Sequence, residues 1–530
     1  MNRLSLCCAA LFFACAPLAA RTQQPETKSE TSARKAGENG GEQAGKDEKT
    51  EKHDGARTAD DVRETLSVTQ HSILIGGETI RYTAKAGTLL LREEDGKKQA
   101  SVFYVAYTRD GVADPATRPI TFSFNGGPGS SSVWLHLGVL GPRRVDMGPE
   151  GLDATPPCKL VDNDASWLDL TDLVFIDPVT TGYSRAVPGE SDAAFHGVEG
   201  DVQSVAEFIR LYTTRERRWT SPKFLAGESY GTTRAAALSS YLQQREGMFL
   251  NGIVLISAIL NFQTAEFDTG NDQPYELFLP TYCATAFYHK KLAPDLQRDL
   301  ASTLAQCQAF AESEYALALR KGSSLADGER DAIATKLARF TGLSKEYVER
   351  TNLRIEISRF CKELERSERK TVGRLDSRFE GVDRDAAGDT PESDPSMNAI
   401  QGPYTAAQNQ YLRAELGYES DLVYEILTGR VHPWRFDGTE NRYLDVAERL
   451  RTAMTANPAL RVFVACGYYD LATPFAAAHY TFDHMGMERE LRERITFGHY
   501  AAGHMMYIQG PSRVQLKQDA KAFYSAALGR

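Results

Sequence analysis

A serine that is to attack a carbonyl must be lifted clear of its own backbone and supplied with a base. One segment of this chain offers the first of these. Gly227-Glu228-Ser229-Tyr230-Gly231 is a G-x-S-x-G sequence that follows the apolar run 224–226 and precedes the small-residue, helix-forming run 232–238. That is the strand, turn and helix context of a nucleophile elbow. The glycines permit a turn sharp enough to raise the Ser229 hydroxyl above a sheet, and the helix behind it directs its positive end at charge developing on an oxyanion. Taken alone, the same five residues also describe a helix N-cap serine after a turn, so the reading depends on partners elsewhere in the chain.

Those partners are sought downstream, since in this arrangement the acid and the base follow the nucleophile in the order Ser, Asp, His, each on a loop after a strand. After the apolar run 462–465 comes Cys466-Gly467-Tyr468-Tyr469-Asp470, with Pro474 beyond, which puts Asp470 just past a strand end. After the run 495–497 comes Gly498-His499-Tyr500-Ala501-Ala502-Gly503-His504. Two histidines compete there. His504 lies deeper in the loop among small residues and is preferred as the base, whereas His499 is close enough to the strand to be structural. The remaining element is Asn125-Gly126-Gly127-Pro128-Gly129 with Ser130, Ser131 and Ser132, directly after the run 120–124. It has neither a Walker lysine nor G-x-G-x-x-G spacing, which excludes the common phosphate and dinucleotide loops. It fits an oxyanion hole in which the Gly127 N–H is paired with the N–H of Tyr230; the plainer reading is a Gly/Pro turn opening a serine-rich helix.

Positioning such residues requires a sheet with loops at one end. Runs at 72–75, 79–83, 88–91 and 101–107, separated by Gly76-Gly77 and Asp95-Gly96, read as antiparallel hairpins. Short apolar runs at 120–124, 173–176, 224–226, 253–256, 462–465 and 495–497 alternate with helical stretches, as expected of a mostly parallel sheet covered on both faces. Between about 265 and 420 the rhythm changes. Leu296, Leu300, Leu304 and Cys307, then Ile333, Leu337 and Phe340, recur at helical spacing, and the stretch 376–396 is rich in Asp, Gly and Pro and reads as a long loop. Strands resume afterwards, so the region is read as a helical cap inserted in one α/β domain spanning 66–530.

Composition bounds the remaining possibilities. The 530 residues are 42% apolar and 25% charged, with a formal charge of −10. Nothing in that balance attracts a phosphate backbone or an anionic membrane surface, so nucleic acid is not an expected partner. The eight cysteines, at 7, 8, 15, 158, 283, 307, 361 and 466, show no CxxC or Cys/His ligand spacing, and neither a zinc site nor any cofactor is expected. Residues 1–20 hold one charge, Arg3, then the apolar run 4–16 and Ala19-Ala20, the pattern of a cleaved secretory signal peptide and too short for a membrane span. Phe12-Phe13-Ala14 before Cys15 is a poor acylation signal, so no lipid anchor is expected. Residues 21–65 are read as a charged, disordered tether, because 21–60 contain no apolar residue except Ala. An exported, periplasmic or secreted chain results, retaining five cysteines, of which at least one must be unpaired.

These segments together resemble the serine carboxypeptidases, particularly their bacterial members. Asn125 to Ser132 is similar to the family's N-G-G-P-G-C-S-S, and Gly227 to Gly231 to its G-E-S-Y-[AG]-G. Gly467 to Asp470 with Pro474 resembles G-x-x-D-x-x-x-P, Ala502-Gly503-His504 resembles G-A-G-H, and Ser166-Trp167, Asp177-Pro178 and Gly182-Tyr183-Ser184 resemble S-W…F-x-D-x-P…G-[FY]-S. The resemblance covers residue 66 to the C-terminus and implies an α/β-hydrolase fold with a mixed, mostly parallel sheet. It also implies a hydrolase removing single residues from peptides with a free C-terminus through an acyl-enzyme, with Ser229, Asp470 and His504 as its triad. Asn125, Gly126 and Glu228 map onto the residues that bind the substrate carboxylate. Two carboxyl groups share such a site only if one is protonated, so acidic pH should be favoured.

Three positions depart from the family. Ser123 replaces a Trp and Val139 a Glu, both supports of the carboxylate site, and Ser130 replaces a disulfide-forming cysteine. Cys307 and Cys361 are then candidates for a local bridge, with Cys466 as the buried free thiol. Two other classes of function remain open, because a triad does not set substrate class: an esterase, acyltransferase or aminopeptidase on the same fold, and a noncatalytic binding module. Asn125 with Glu228 favours a carboxylate binder over an aminopeptidase, which typically carries His-Gly-Gly at this point.

Overall fold

A computed structural model describes residues 58–530, Ala154 excepted. The expected leader 1–20 and most of the tether lie outside the described residues. Residues 58–65, grouped by composition with the tether, pack onto the sheet. Lys98 Nζ donates to the carbonyls of Ala59, Asp60 and Val62, and Glu64 Oε1 accepts from the Leu90 N–H at 2.9 Å. Residues 58–65 therefore pack with the sheet, because charged side chains here satisfy backbone groups that no hydropathy pattern reveals.

The strands are β1 (Leu66–Ile75), β2 (Glu78–Arg92), β3 (Lys98–Arg109), β4 (Ile120–Phe124), β5 (Asp172–Ile176), β6 (Lys223–Ser229), β7 (Gly252–Ala258), β8 (Arg461–Gly467) and β9 (Ile495–Tyr500). They lie in the order β1-β2-β3-β5-β4-β6-β7-β8-β9, and a two-residue strand, Arg185–Ala186, pairs with β3. β1, β2 and β3 are antiparallel, β3 meets β5 antiparallel, and β5, β4, β6, β7, β8 and β9 run parallel. Every residue of β4, β5 and β7 is buried, as the unbroken apolar runs require of strands covered on both faces. β1 alternates exposed and sheltered positions, as an edge strand of a half-solvated hairpin does.

Helices α1 (Val198–Arg215) and α2 (Tyr230–Arg245) pack on one face. The insertion between β7 and β8 includes α3 (Gln273–Tyr288), α4 (Leu300–Phe310), α5 (Asp327–Thr341), α6 (Ile357–Glu363) and α7 (Pro395–Ala414). α8 (Ala447–Ala456), α9 (Phe475–Asp483) and α10 (Gly510–Ala527) complete the layers. The insertion is not a cap throughout. α3 to α6 share the apolar cluster of α1 and α2, whereas Ile400, Tyr404, Ala407 and Tyr411 of α7 are buried on the opposite face with Phe103, Tyr107 and Phe175. The 376–396 stretch is no free loop either. Asp376, Ser377 and Arg378 are buried, and the short strands Lys370–Val372 and Glu380–Val382 pair as a hairpin.

The candidate Cys307–Cys361 bridge does not form: Cys158, Cys283, Cys307, Cys361 and Cys466 are all free. The Cys307 thiol turns toward α3 instead, 3.7 Å from the Leu279 carbonyl and beside Cys283. Helical spacing puts Cys307 on a helix but does not determine which helix it meets. Cys466 is 2% exposed, and burial pushes its thiol far above the ordinary range, leaving it inert.

Candidate active site

All four candidate segments leave the carboxyl ends of parallel strands: 125–132 after β4, 228–230 at the end of β6, 468–474 after β8 and 501–507 after β9. This is where open α/β sheets assemble sites. Ser229 ends β6 at φ 59°, ψ −131°, and α2 begins at the next residue. A non-glycine residue in that conformation costs on the order of 1–3 kcal/mol, and it persists only because the strand, helix and neighbouring loop over-determine it. The glycines show how tightly they do so. A Cβ on Gly227 would lie 2.2 Å from the Gly231 carbonyl, and one on Gly126 would lie 2.4 Å from the Tyr230 backbone nitrogen. The Asn125-Gly126-Gly127 loop is thus seated against the N-terminus of α2, where Tyr230 N–H is free of intrahelical bonding.

Asp470 is fully buried. Its Oδ1 accepts from the N–H groups of Ala472 (2.8 Å) and Thr473 (3.0 Å), and its Oδ2 accepts from Thr473 Oγ1 (2.7 Å) and His504 Nδ1 (2.8 Å). Because Nδ1 donates to a carboxylate, Nε2 of a neutral His504 is the basic nitrogen. Burial opposes charging this ring, but Asp470 and Glu228 outweigh it and hold its pKa above the ordinary histidine value. His499 is placed elsewhere. Its Nε2 lies 3.0 Å from His479 Nε2, its ring stacks on Tyr468, and burial lowers its pKa.

Asn125 and Glu228 form a second buried group beside Ser229. Asn125 Nδ2 donates to Glu228 Oε1 at 3.0 Å, Asn125 Oδ1 accepts from the Leu135 N–H at 3.1 Å, and Tyr507 donates its hydroxyl to Glu228 Oε2 at 2.6 Å. Burial raises Glu228 to about 7, although His504 and the two hydrogen bonds pull the other way. Neither departure from the family motif leaves Glu228 unsupported. Ser123 and Val139 are buried, and Tyr507, three residues after His504 in the 3₁₀ turn Met506–Ile508, supplies the partner. The H-x-x-Y spacing was the available signal in the sequence, legible only once the turn is known.

Three further residues have roles that were not assigned from the sequence. Arg234 of α2 pairs with Asp201 of α1 at 2.7 Å, both side chains almost wholly buried, and donates to the Asn125 carbonyl at 2.5 Å. It therefore braces the Asn125 loop from below. Replacing it with leucine strands the Asp201 carboxylate in the core, and a loss of about 3–5 kcal/mol is expected in urea unfolding. Asp177, in the segment similar to F-x-D-x-P, accepts from both the N–H and the hydroxyl of Ser132 at 2.8 Å, anchoring the far end of the same loop.

Asp376 comes from the inserted region. Its Oδ2 accepts from the Gly503 N–H at 3.0 Å while Arg378 grips the same carboxylate at 2.6 Å. The neighbouring backbone extends the clamp. His504 N–H donates to the Leu375 carbonyl (2.7 Å), Ser377 N–H to Tyr469 (3.0 Å) and Leu471 N–H to Arg374 (3.0 Å). One segment, 374–378, thus holds the loops of both Asp470 and His504. For Asp376→Asn we expect kcat to fall about 10²-fold with KM little changed, since a shift of about 1 Å in a catalytic group costs that much. Steady-state kinetics on a blocked dipeptide, with circular dichroism as the folding control, checks this.

A strained serine at a strand-to-helix turn, a buried Asp–His pair two strands away and a central parallel sheet define an α/β-hydrolase. Comparison with known proteins narrows the class. The family model described as serine carboxypeptidase matches residues 79–500, and the chain belongs to that family. Among curated proteins, carboxypeptidase Y homolog A of Emericella nidulans is 26% identical over 226 residues, 42% of this chain and 36% of that protein. Its counterpart in Chaetomium globosum is 27% identical over 205 residues, 38% of this chain and 33% of that protein. The matched part thus spans about a third of these relatives' length. Among solved structures, the prohormone-processing carboxypeptidase Kex1Δp of Saccharomyces cerevisiae superposes with TM-score 0.52 at 16% identity, covering 83% of this chain and 91% of that one. That likeness shows a shared fold. Among the described residues, no helix is long and apolar enough to cross a membrane.

Proposed function

We propose that the chain is an exported serine-type carboxypeptidase that hydrolyses the last peptide bond of substrates with a free C-terminus, favouring acidic pH. The observation that carries this reading is the Asn125–Glu228–Tyr507 group: a buried carboxyl raised to about 7, adjacent in sequence to the strained Ser229. A general esterase needs no protonatable acid there, and an aminopeptidase needs an anion to meet an amine. A protonated Glu228 donates to a substrate carboxylate, while the second Asn125 Nδ2 proton and the Gly126 N–H supply further donors.

On this reading the chemistry is acyl transfer through Ser229. Ser229 Oγ attacks the scissile carbonyl as His504 Nε2 takes its proton, and Asp470 holds the ring and stabilises the imidazolium. The N–H groups of Gly127 and Tyr230 receive the developing oxyanion. The C–N bond breaks as His504 returns the proton to the departing amine. Water, deprotonated by the same nitrogen, then releases the acyl group and restores Ser229. Export rests on the leader pattern in residues 1–20.

The test offers the enzyme an N-blocked dipeptide, the same dipeptide amidated at its C-terminus, an aminoacyl anilide with a free N-terminus and a simple ester. Release of the last residue from the free acid, at least tenfold faster than from the amide at a pH just below the Glu228 pKa of about 7, is the expected result. Preference for the anilide or the ester would replace the proposal with an aminopeptidase or esterase.

A further inference from the structure

Outside the triad, His289, at the C-terminal end of α3, meets two glutamates from separate parts of the insertion. Its Nδ1 lies 3.1 Å from Glu380 Oε1 and 3.6 Å from Glu365 Oε1, and all three atoms lie within 4.8 Å of one another. The His289 and Glu365 side chains are 4% and 3% exposed, and Glu380 closes the group on the solvent side at 33%.

His289 Nε2 lies 2.6 Å from the Ser377 carbonyl oxygen, which can only accept, so Nε2 carries the ring proton. Nδ1 then faces two carboxylate oxygens, and only a second ring proton or a cation can join the three atoms. The opposite carboxylate oxygens are already engaged: Lys291 Nζ is 2.6 Å from Glu365 Oε2, and Lys370 Nζ is 2.5 Å from Glu380 Oε2. Each lysine takes the far oxygen and leaves Oε1 facing the imidazole.

We propose that His289 Nδ1, Glu365 Oε1 and Glu380 Oε1 bind a divalent cation of the zinc class. Ligands about 2.0–2.1 Å from a tetrahedral ion are roughly 3.3–3.4 Å apart, and the two nitrogen–oxygen separations bracket that value. One imidazole with two carboxylates suits Zn²⁺ better than Mg²⁺ or Ca²⁺, which take oxygen ligands in higher coordination. The second sphere is that of a metal-bound histidine, with the other ring nitrogen donating to a backbone carbonyl and the ligating carboxylates held by hydrogen bonds. The Ser377 carbonyl sits on the segment that clamps Tyr469, next to Asp470. The ion would therefore staple α3, the turn after α6 and the Glu380–Val382 strand to the loop carrying the catalytic acid.

The test incubates the full chain with Zn²⁺, removes excess by gel filtration and measures metal per chain, with Co²⁺ as a spectroscopic probe. One retained equivalent, a visible Co²⁺ spectrum of tetrahedral type and a raised melting temperature are expected. Glu380→Gln, at the part-exposed ligand, should weaken binding at least tenfold, and His289→Ala should do so as well; Glu380→Gln keeps the test open if the histidine variant fails to fold. Failure to retain Zn²⁺ means that a second ring proton, not a cation, sits between these atoms. Equal retention by the variants, loss on His479→Ala instead, or preference for Mg²⁺ or Ca²⁺ would each overturn the assignment.

Discussion

Ser229→Ala should abolish release of the C-terminal residue from a blocked dipeptide, with kcat falling by about 10⁴–10⁶. The size of the effect follows from the geometry. In the proposed mechanism the Ser229 hydroxyl bonds to the acyl carbon, and no other serine shares its placement at the end of β6. His504→Ala should lose nearly as much, and Asp470→Asn somewhat less, because the three act as a unit. Asp470 holds the Nδ1 proton at 2.8 Å and so sets which nitrogen of His504 is basic. Combining Ser229→Ala with either change should add almost nothing. Undiminished release by Ser229→Ala would remove the acyl-enzyme from the mechanism, whatever the family. A serine-directed phosphonate should label the wild type and leave Ser229→Ala unlabelled.

The second large effect is in pH. Burial places the Glu228 carboxyl at about 7, so below that value it is mostly protonated and donates to a substrate carboxylate. Above it the two anions repel. For free-acid substrates kcat/KM should fall about tenfold per pH unit once Glu228 ionises, while amidated substrates should not show this fall. On the acid side activity is lost as His504 takes up a proton. The productive form carries one proton on Glu228 and none on His504 Nε2, and the profile reports the pair rather than either group alone. Glu228→Gln, permanently neutral, should flatten the alkaline limb. Identical pH profiles for acid and amide substrates would remove Glu228 from carboxylate recognition.

The same shift has a sign for stability. Between the ordinary glutamate range and about 7, the folded chain holds a proton on Glu228 that the unfolded chain has lost. Folding stability from this group therefore declines as pH rises through that window, by up to ~3 kcal/mol. Glu228→Gln should be more stable than wild type above the window, relative to the difference between them at pH 4.

The parts of this protein that could be read from its residues are those whose signal is local. Six apolar runs marked the parallel strands because a strand covered on both faces needs no polar side. The glycines around Ser229 and in the Asn125 loop were legible because a sharp turn and a close backbone approach each exclude a Cβ. The order Ser, Asp, His then left two histidines. The structure pairs His504 with Asp470 and sends His499 to His479, a difference in orientation of two residues five apart on one strand and its loop.

What escaped was carried by contacts between distant segments. Asp376 sits in a stretch whose Asp, Gly and Pro content describes a loop, and nothing in that content says that its carboxylate will meet Gly503. Tyr507 supports Glu228 only because the turn after His504 brings its hydroxyl within 2.6 Å of a carboxylate 279 residues away in the chain. Cys307 faces Cys283 rather than Cys361 because helix packing, not helical periodicity, decides which faces meet. The residue pattern by itself determined the sheet, the elbow and the kind of chemistry, each set by backbone sterics and burial within a few residues. Only the tertiary structure decided which groups brace Asp470, His504 and Glu228, since hydrogen bonds between segments 92 to 279 residues apart leave no periodic trace in a sequence.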